Sequence, residues 1–278
     1  MIETLKEEAQ GRLGERLAFS PLNGGSSNLS FQGKGEDGKK YVVKFQRHVP
    51  GLEVQRRLRE YLDRRDQDHP RLILAFPSRR MPEAYLTVSE WMEGSPLLLE
   101  GESMTLSELR KRAQQAAGTV KRLHRVSLSD LPDKSIWEQD SGQDAARALL
   151  ASTKEDFPYR EQFFRAVQEG MDHISSPRGI VHLDLRPDNM VFSDDACRLM
   201  DMETLSVDHI WADFSYAVEI NFPKERVFWL LFLDSYFDGG IPLEFWKETR
   251  EHVLIKFLSL LRLDRKTGNP GRQYALAE

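Results

Sequence analysis

The sequence predicts an α+β protein of two lobes, in which a small antiparallel sheet precedes a mostly helical half. Up to about residue 94, short apolar and β-branched segments are separated by turn-forming residues, a pattern typical of strands. Beyond that point apolar residues recur every three or four positions, which indicates amphipathic helices. A chain of 278 residues, 40% of them hydrophobic, can bury a core in each half. We therefore expect one lobe at residues 1–94 and a second at 95–278.

Composition and charge exclude several classes of protein. The net charge of −5 argues against nucleic acid as the main partner, because phosphate binding needs a basic surface. Charge is uneven, roughly +2 over residues 1–95 and roughly −7 over the rest, which favours a cationic partner or reflects an ordinary solvated surface. No stretch approaches the roughly 18 apolar residues of a membrane helix, and the acidic start is unlike a signal peptide. Cys197 is the single cysteine, which excludes an internal disulfide and suits a reducing compartment. We expect a cytoplasmic monomer without membrane contact.

After a short amphipathic helix, the first lobe begins with two strands around a loop of small residues. Predicted strands at 17–22 and 29–31 flank the sequence Asn-Gly-Gly-Ser-Ser-Asn at 23–28. Glycines let the backbone approach a phosphate closely, while amides and Ser hydroxyls can donate to its oxygens. The loop equally suits an ordinary hairpin turn, and it is not a G-x-x-x-x-G-K-[ST] phosphate loop. The candidate nucleotide ligands here are Gly25, Ser26 and Ser27.

A lysine lies within the next predicted strand, residues 41–45. Lys44 could extend from a sheet edge to solvent, or it could reach nucleotide phosphates from the strand that faces the small-residue loop. In the helix expected between residues 51 and 65, Glu53 and Glu60 are seven positions apart and so lie roughly on one face. Either acid could pair with Lys44, with Glu53 preferred, or both could be surface charges.

The strands predicted at 72–76 and 85–89 complete a five-stranded sheet and lead into a hinge at about residues 89–94. The Gly-Ser-Pro sequence that follows, at 94–96, is a good candidate for a lobe boundary. Extended backbone at this point could present an amide and a carbonyl to the edge of an adenine. The candidate residues are Glu90, Trp91 and Met92.

Helices are expected through the second lobe. Thr105 and Glu108 have the spacing of a capping box, and they open a helix that runs to about residue 123. His124 at its end is interpreted as a core or capping histidine. Other helices are predicted near 144–151, 163–174, 227–237 and 245–263, so that helices, not strands, precede the next motif.

The most informative stretch is Val-His-Leu-Asp-Leu-Arg-Pro-Asp-Asn at residues 181–189. It is an irregular segment between two apolar runs, and such loops often carry catalytic groups. A predicted hairpin, residues 190–200, follows it and ends at Asp201. Asn189 and Asp201 would then lie at neighbouring strand ends, where two oxygen ligands could hold magnesium together with nucleotide phosphates. Asp184 could meanwhile face a substrate hydroxyl, which is the layout that phosphoryl transfer needs.

With these features in this order, the chain resembles the aminoglycoside phosphotransferase and choline kinase superfamily over nearly its whole length. The specific element is His182-x-Asp184-x-x-x-x-Asn189 followed by Asp201, and the small-residue loop and Lys44 agree with it. The resemblance implies a protein-kinase-like bilobal fold. Its first lobe would be a five-stranded antiparallel sheet plus a helix, and its second a helical lobe with short catalytic hairpins.

The resemblance also implies a role for each matching position. Asp184 would be the catalytic base, and Asn189 and Asp201 would be the Mg²⁺ ligands. Lys44, steadied by an acid of the following helix, would contact the α and β phosphates of ATP or GTP. The serines of the small-residue loop would cap the phosphates.

Two other residues of the motif have open roles. His182 would organise the loop or carry a proton, since its ring can do either. Arg186 could touch the γ-phosphate and offset developing charge, or it could simply be paired with the neighbouring acids.

The expected reaction is ATP- and Mg²⁺-dependent phosphorylation of a hydroxyl on a small molecule, such as an aminoglycoside or another antibiotic. Acceptors of metabolic type, such as an amino alcohol, a sugar or a nucleoside, are an alternative. A protein kinase is disfavoured by Met-Glu after Asp201, by Leu183 in place of the arginine of H-R-D, and by the short gap to Asp213. A non-catalytic binding module would have lost one of the site residues, and none is lost.

Overall fold

The computed structural model describes residues 2–22, 29–47, 52–65, 68–81, 84–97, 104–131, 146–148, 150–151, 160–217 and 225–267. The chain forms two compact units. The first comprises residues 1–97 and 190–204, and the second comprises residues 98–189 and 205–278. The lobe boundary placed between residues 94 and 95 stays a prediction.

The first unit contains the five-stranded antiparallel sheet that the sequence predicts, in which the strands lie side by side in the order first, second, third, fifth and fourth along the chain. Inward-facing side chains such as Phe31, Val43 and Val88 pack with Leu5 and Ala9 of the first helix. Burial of these alternating residues explains why this chain segment forms strands. The elements are α1 Ile2–Leu13, β1 Leu17–Pro21, β2 Leu29–Gly35, β3 Lys40–Arg47, α2 Leu52–Asp63, β4 Leu72–Pro77 and β5 Ala84–Glu90.

The predicted hairpin that follows the motif belongs to this first unit. It consists of β8 Met190–Phe192 and β9 Cys197–Leu199, and β8 also pairs with the two-residue strand β6 Ser95–Pro96. Gly94, just before β6, has a φ of 139°, and a Cβ built there would lie 2.6 Å from the carbonyl oxygen of Phe192. Only glycine allows this close approach.

The second unit is mainly helical. The predicted capping box of Thr105 and Glu108 is present at the start of its first helix, whose apolar face is buried from Ala113 to Leu123, while Leu106 in the first turn is exposed. An aromatic core of edge-to-face rings joins the later helices, with Phe214 and Phe245 at 5.3 Å between ring centroids. The helices are α3 Leu106–His124, α4 Arg160–Met171, α5 Asp213–Tyr216, α6 Arg226–Tyr236 and α7 Leu243–Thr267. Residues 146–148 and 150–151 are also helical.

One part of this unit differs from the expectation that helices precede the motif. Strand β7, Arg178–Val181, lies directly before it and pairs antiparallel with β10, Ser206–His209. The sequence pattern missed β7 because four residues are too few to establish a period, and its partner lies beyond the motif in the chain. Among the residues described, no helix is long and apolar enough to cross a membrane.

Candidate active site

In the first unit, Lys44 meets two carboxylates that follow the hairpin. Its strand, β3, pairs with β2 and β5 on either side, so Lys44 is in the middle of the sheet and not at an edge. The ammonium donates hydrogen bonds to Asp201 and, at 3.1 Å, to Glu203. Burial by itself lowers the pKa of Lys44, but the charges of Glu203 and Asp201 outweigh it and raise this pKa above its ordinary value.

A tight turn brings both acids to the lysine. Asp201 has a φ of 58°, in the left-handed region that Asp tolerates better than most residues, and it leads into the 3₁₀ turn Met202–Thr204. The Glu203 side chain is only 13% exposed. Burial and the adjacent Asp201 carboxyl raise the pKa of Glu203, against the opposing charge of Lys44. Sequence analysis gave Glu203 no role, because an acid two residues after another can face either way.

Helix α2 does not supply the predicted partner of Lys44. Glu53 instead accepts hydrogen bonds from Arg56 and Arg57, and Glu60 accepts one from Arg56. The bonds from the two arginines, that from Arg56 first, hold the pKa of Glu53 at about 2 although burial opposes them. The expectation that Glu53 or Glu60 steadies Lys44 is therefore not met. Both acids instead form ion pairs with arginines that lie one turn away on the same face of α2.

The remaining nucleotide candidates of the first unit lie at and after the end of β5 and in the small-residue loop. Glu90 ends β5, and the backbone N–H of Trp91 donates to the carbonyl of Lys40 at 3.3 Å. Met92 follows without regular structure. Contact of this segment with an adenine stays a prediction. The loop candidates Gly25, Ser26 and Ser27 lie outside the described residues.

In the second unit, the backbone of the motif is held by Asp213 at the start of α5. Asp213 is fully buried and accepts hydrogen bonds from the backbone N–H groups of His182, at 3.0 Å, and Leu183. The Nε2 atom of His124 donates to the same carboxylate at 2.8 Å, and the Tyr236 hydroxyl lies 2.6 Å from Nδ1 of that histidine. Burial alone raises the pKa of Asp213, but the His124 hydrogen bond and the other interactions lower it below its ordinary value.

This network identifies His124 as a core histidine, as the sequence indicates. It also explains Leu183, whose φ of 61° is in the left-handed region and whose N–H is aimed at Asp213. Such a conformation is costly for a leucine and persists only where surrounding contacts hold it. In the sequence, Asp213 served only to mark the length of the segment after Asp201, and nothing in the local pattern indicated that it anchors the motif.

Within the motif, Asp184 is fixed by its own loop. The Asn189 amide nitrogen donates to the Asp184 carboxylate and to its backbone carbonyl, each at 2.9 Å. The backbone N–H of Asp184 donates to Nδ1 of His182 at 3.2 Å. Since Asn189 uses its nitrogen for these bonds, its side-chain oxygen is the atom that can coordinate a cation.

Two basic residues complete this region of the second unit. Arg186 forms a bidentate pair with Asp188, which is the alternative to a phosphate contact that the sequence left open. From α7, Lys256 donates to the carbonyl of Leu183 at 3.4 Å. Burial lowers the pKa of Lys256, while the charges of Asp184 and Asp213 oppose this. Sequence analysis missed Lys256, whose one signal is a cation among the apolar residues of a helix.

Oxygen donors of the kind that Mg²⁺ prefers are present in both units. Asp201 supplies a carboxylate in the first, and Asn189 and Asp184 supply an amide oxygen and a carboxylate in the second. Within the described part of the chain, no cluster of three or more His, Cys, Asp or Glu side chains could hold a metal. Mg²⁺ commonly takes one or two protein oxygens together with phosphates and water, so the oxygens of either unit are of a suitable type.

The sequence also matches the model of a known family. The sequence profile described as "APH: Phosphotransferase enzyme family" matches residues 18–251. The chain therefore belongs to the phosphotransferase enzyme family. A search of functionally curated proteins finds no match.

Solved structures of antibiotic phosphotransferases have the same fold. Aminoglycoside phosphotransferase APH(4)-Ia matches with a TM-score of 0.74 and 13% identity, over 99% of this chain and 96% of that one. A thermostable mutant of it, in ternary complex with ADP and hygromycin B, matches with 0.73 and 14%, over 98% and 95%. Macrolide 2'-phosphotransferase MphH from Brachybacterium faecium matches with 0.65 and 17%, over 99% and 96%. At these identities the likeness concerns the fold.

Proposed function

We propose that the protein transfers the γ-phosphoryl group of ATP, or of GTP, to a hydroxyl group of a small molecule in the cytoplasm. The observation that carries this proposal is the fixed position of Asp184, whose carboxylate is held by Asn189 in a loop anchored on Asp213. Phosphoryl transfer depends mainly on positioning and charge neutralisation. A preorganised carboxylate and a buried lysine with an adjacent acid serve these two needs.

The first unit would bind the nucleotide. Lys44 has an ammonium with three donors, and contacts with the described residues use two of them, to Asp201 and Glu203, so the third would donate to a phosphate oxygen. Asp201 and Asn189 would be the magnesium ligands, and the bound Mg²⁺ would neutralise charge on the phosphates. The backbone of Glu90, Trp91 and Met92 would bind the base.

The motif in the second unit would act on the acceptor. Asp184 would accept the proton of the acceptor hydroxyl as its oxygen attacks the γ-phosphorus and the bond to the leaving nucleoside diphosphate breaks. His182 would organise the loop, because its Nδ1 already accepts the N–H of Asp184. Arg186 would serve the same loop through Asp188, and a phosphate contact would require it to leave that pair.

The acceptor class is supported by fold and charge together. One structural relative was solved with ADP and hygromycin B, and another is named for macrolides. The roughly −7 charge of the second part of the sequence favours a cationic acceptor. We propose an aminoglycoside or other hydroxylated antibiotic, with resistance as the physiological role. A small metabolite is the alternative within the same reaction class.

A thermal-shift screen followed by turnover measurements tests this function. The protein would be heated with ATP and Mg²⁺ in the presence of hydroxylated antibiotics and metabolites, because a ligand that binds the folded state raises the unfolding temperature. With a hit, Asp184→Asn should lower kcat by about 10²–10⁴-fold while ATP affinity stays near that of the wild type. Asp195→Asn, at the exposed turn of the hairpin, is the matched control.

Two results would contradict the proposal. The role of Asp184 would be wrong if Asp184→Asn retained the wild-type kcat. Transfer of label from ATP to protein bands in a cell extract, instead of to small molecules, would replace the small-molecule acceptor with a protein.

A further inference from the structure

We infer that Glu203, and not an acid of helix α2, positions Lys44 for the nucleotide. Buried Arg59 of α2 would balance the charge of the cluster that Lys44 forms with Glu203 and Asp201. The inference deepens the proposed function, since the lysine is positioned for a phosphate that the proposed reaction requires. It concerns the first unit alone, in which Glu203, Lys44 and Arg59 lie together with Asp201.

Glu203 has the contact and the burial that this task needs. Its carboxylate lies 3.1 Å from Lys44 Nζ, and the side chains of the lysine and the glutamate are 17% and 13% exposed. The turn that carries Glu203 packs against α2, and this contact holds the backbone of Glu203 in place. An ion pair that is shielded from solvent in this way is screened little by salt.

Asp201 cannot hold the lysine alone throughout the reaction. Its side chain is 39% exposed, and it is the proposed magnesium ligand in this unit. A carboxylate that coordinates a cation has less charge to offer a lysine. Glu203 would then remain as the partner that keeps the Lys44 ammonium in place.

The acids of helix α2 are excluded by geometry. Glu53 and Glu60 are bonded to Arg56, and the Glu53 side chain is 56% exposed. The residue of α2 that is buried instead is Arg59, at 4% exposure, which donates to the Ser89 hydroxyl at 2.8 Å. The side chain of α2 that interacts with Glu203 is therefore an arginine and not an acid.

Arg59 has a charge that the cluster requires. Asp201 and Glu203 together carry two negative charges, and Lys44 offsets one of them. The electrostatic interactions of Arg59 with Glu203 and Asp201 are attractive, although burial alone lowers the pKa of the arginine. Arg59 and Glu203 also line the same small cavity, with Thr87 and Tyr85. The charges of the two acids and the two cations therefore sum to zero, and the attraction of Arg59 to both carboxylates reduces the cost of burying Glu203.

A double-mutant cycle in the protein without nucleotide tests the pairing. Lys44→Met, Glu203→Gln and the double variant would be compared by urea unfolding, because contacting residues have non-additive effects on stability. We expect a coupling equivalent to about a tenfold change in the unfolding equilibrium constant. The same cycle with Glu60→Gln should be additive. An additive Lys44–Glu203 cycle would overturn the inference, as would a larger coupling of Lys44 to Glu60.

Nucleotide affinity tests the consequence. Isothermal titration with ATP should give a Kd about tenfold higher for Glu203→Gln than for the wild type, with or without Mg²⁺, because a neutral amide holds the lysine less firmly. Glu60→Gln should bind like the wild type. An unchanged Kd for Glu203→Gln would refute the positioning role. A loss seen only with Mg²⁺ would also refute it, since Glu203 would then be a metal ligand.

The two arms separate this inference from the proposed function. If the cycle shows coupling but the wild-type protein binds no ATP, the pairing stands and the phosphotransferase proposal fails. If ATP binds and the cycle is additive, the proposed function stands and the pairing is wrong.

Discussion

Asp213 and Glu203 are both buried acids, yet their surroundings shift their pKa values in opposite directions. In the second unit, Asp213 is met by two backbone N–H groups and the His124 ring, and its pKa is lowered. In the first unit, Glu203 is met by Lys44 and by a second carboxyl, Asp201, and its pKa is raised. The sign depends on whether hydrogen-bond donors compensate the carboxylate for the loss of water.

The contrast indicates different tasks. A carboxylate saturated by fixed donors stabilises the fold, and Asp213 uses this to hold the backbone of the motif in a strained conformation. When two carboxylates share one cation, as Glu203 and Asp201 share Lys44, the charged form of each is less stable in the protein without ligand. Perturbed pKa values of this kind are typical of functional sites, where a ligand can relieve the crowding.

The largest effect should come from Asp213. We expect Asp213→Asn to lower the free energy of unfolding by about 4 kcal/mol. The buried N–H groups that now donate to the Asp213 carboxylate would then face an uncharged amide, one end of which is itself a donor. Urea unfolding measures this change. Asp238→Asn, which alters an exposed acid paired with Lys121, is the control and should leave the stability close to that of the wild type. Equal stability of the two variants would contradict the anchoring role.

A second donor-saturated acid in this unit extends the comparison to pH. Burial alone raises the pKa of Glu248, but hydrogen bonds from His252, Ser176 and the Ser175 backbone lower it to about 2. Because the folded pKa lies below the unfolded one, the stabilisation is present above about pH 4.5 and is lost as the pH falls towards 2. The loss should approach about 3 kcal/mol.

Unfolding midpoints between pH 6 and pH 2 measure this dependence, and Glu248→Gln should flatten it. Glu244→Gln, in the exposed first turn of the same helix, should leave the wild-type slope unchanged. An unaltered slope for Glu248→Gln would show that another group causes the acid sensitivity.

In the first unit, loss of the shared cation should be the more damaging change. Lys44→Met leaves Asp201 and Glu203 facing each other, and it should lower the free energy of unfolding by about 2 kcal/mol, moderated by the partial exposure of Asp201. Lys40→Met removes an exposed pair with Glu93 from the same strand and should cost less than about 1 kcal/mol. Differential scanning calorimetry compares the two. A smaller effect at Lys44 than at Lys40 would mean that the acids do not depend on the lysine.

The smallest expected effect has the opposite sign. Burial and the Asp201 carboxyl raise the pKa of Glu203 above its value in the unfolded chain, so keeping this group ionised at pH 8 costs stability, and Glu203→Gln should raise the free energy of unfolding by about 1 kcal/mol. Chemical denaturation measures the change. If the variant were less stable than the wild type, Glu203 would stabilise the fold as Asp213 does, and the proposed difference between the two acids would be wrong.

The sequence was most informative where local patterns carry the information. Alternating residues such as those around Val43 predicted the strands of the sheet, and the spacing of Thr105 and Glu108 predicted a cap that is present. The motif around Asp184 indicated the phosphotransferase family, which the family match confirms. Helix α2 was also predicted, but not which of its charged residues is buried.

The sequence by itself thus determined most of the helices and the five strands of the first sheet, the family and the residue types of the site. Only the tertiary structure decided which charges meet: Glu203 with Lys44, Arg59 towards the protein interior, and Asp213 under the motif. The physical reason is that helical and strand periods depend on neighbours in the chain, whereas ion pairs and buried hydrogen bonds depend on residues far apart in it. Acids at Glu53, Glu60 and Glu203 were equivalent until packing buried one of them beside the lysine.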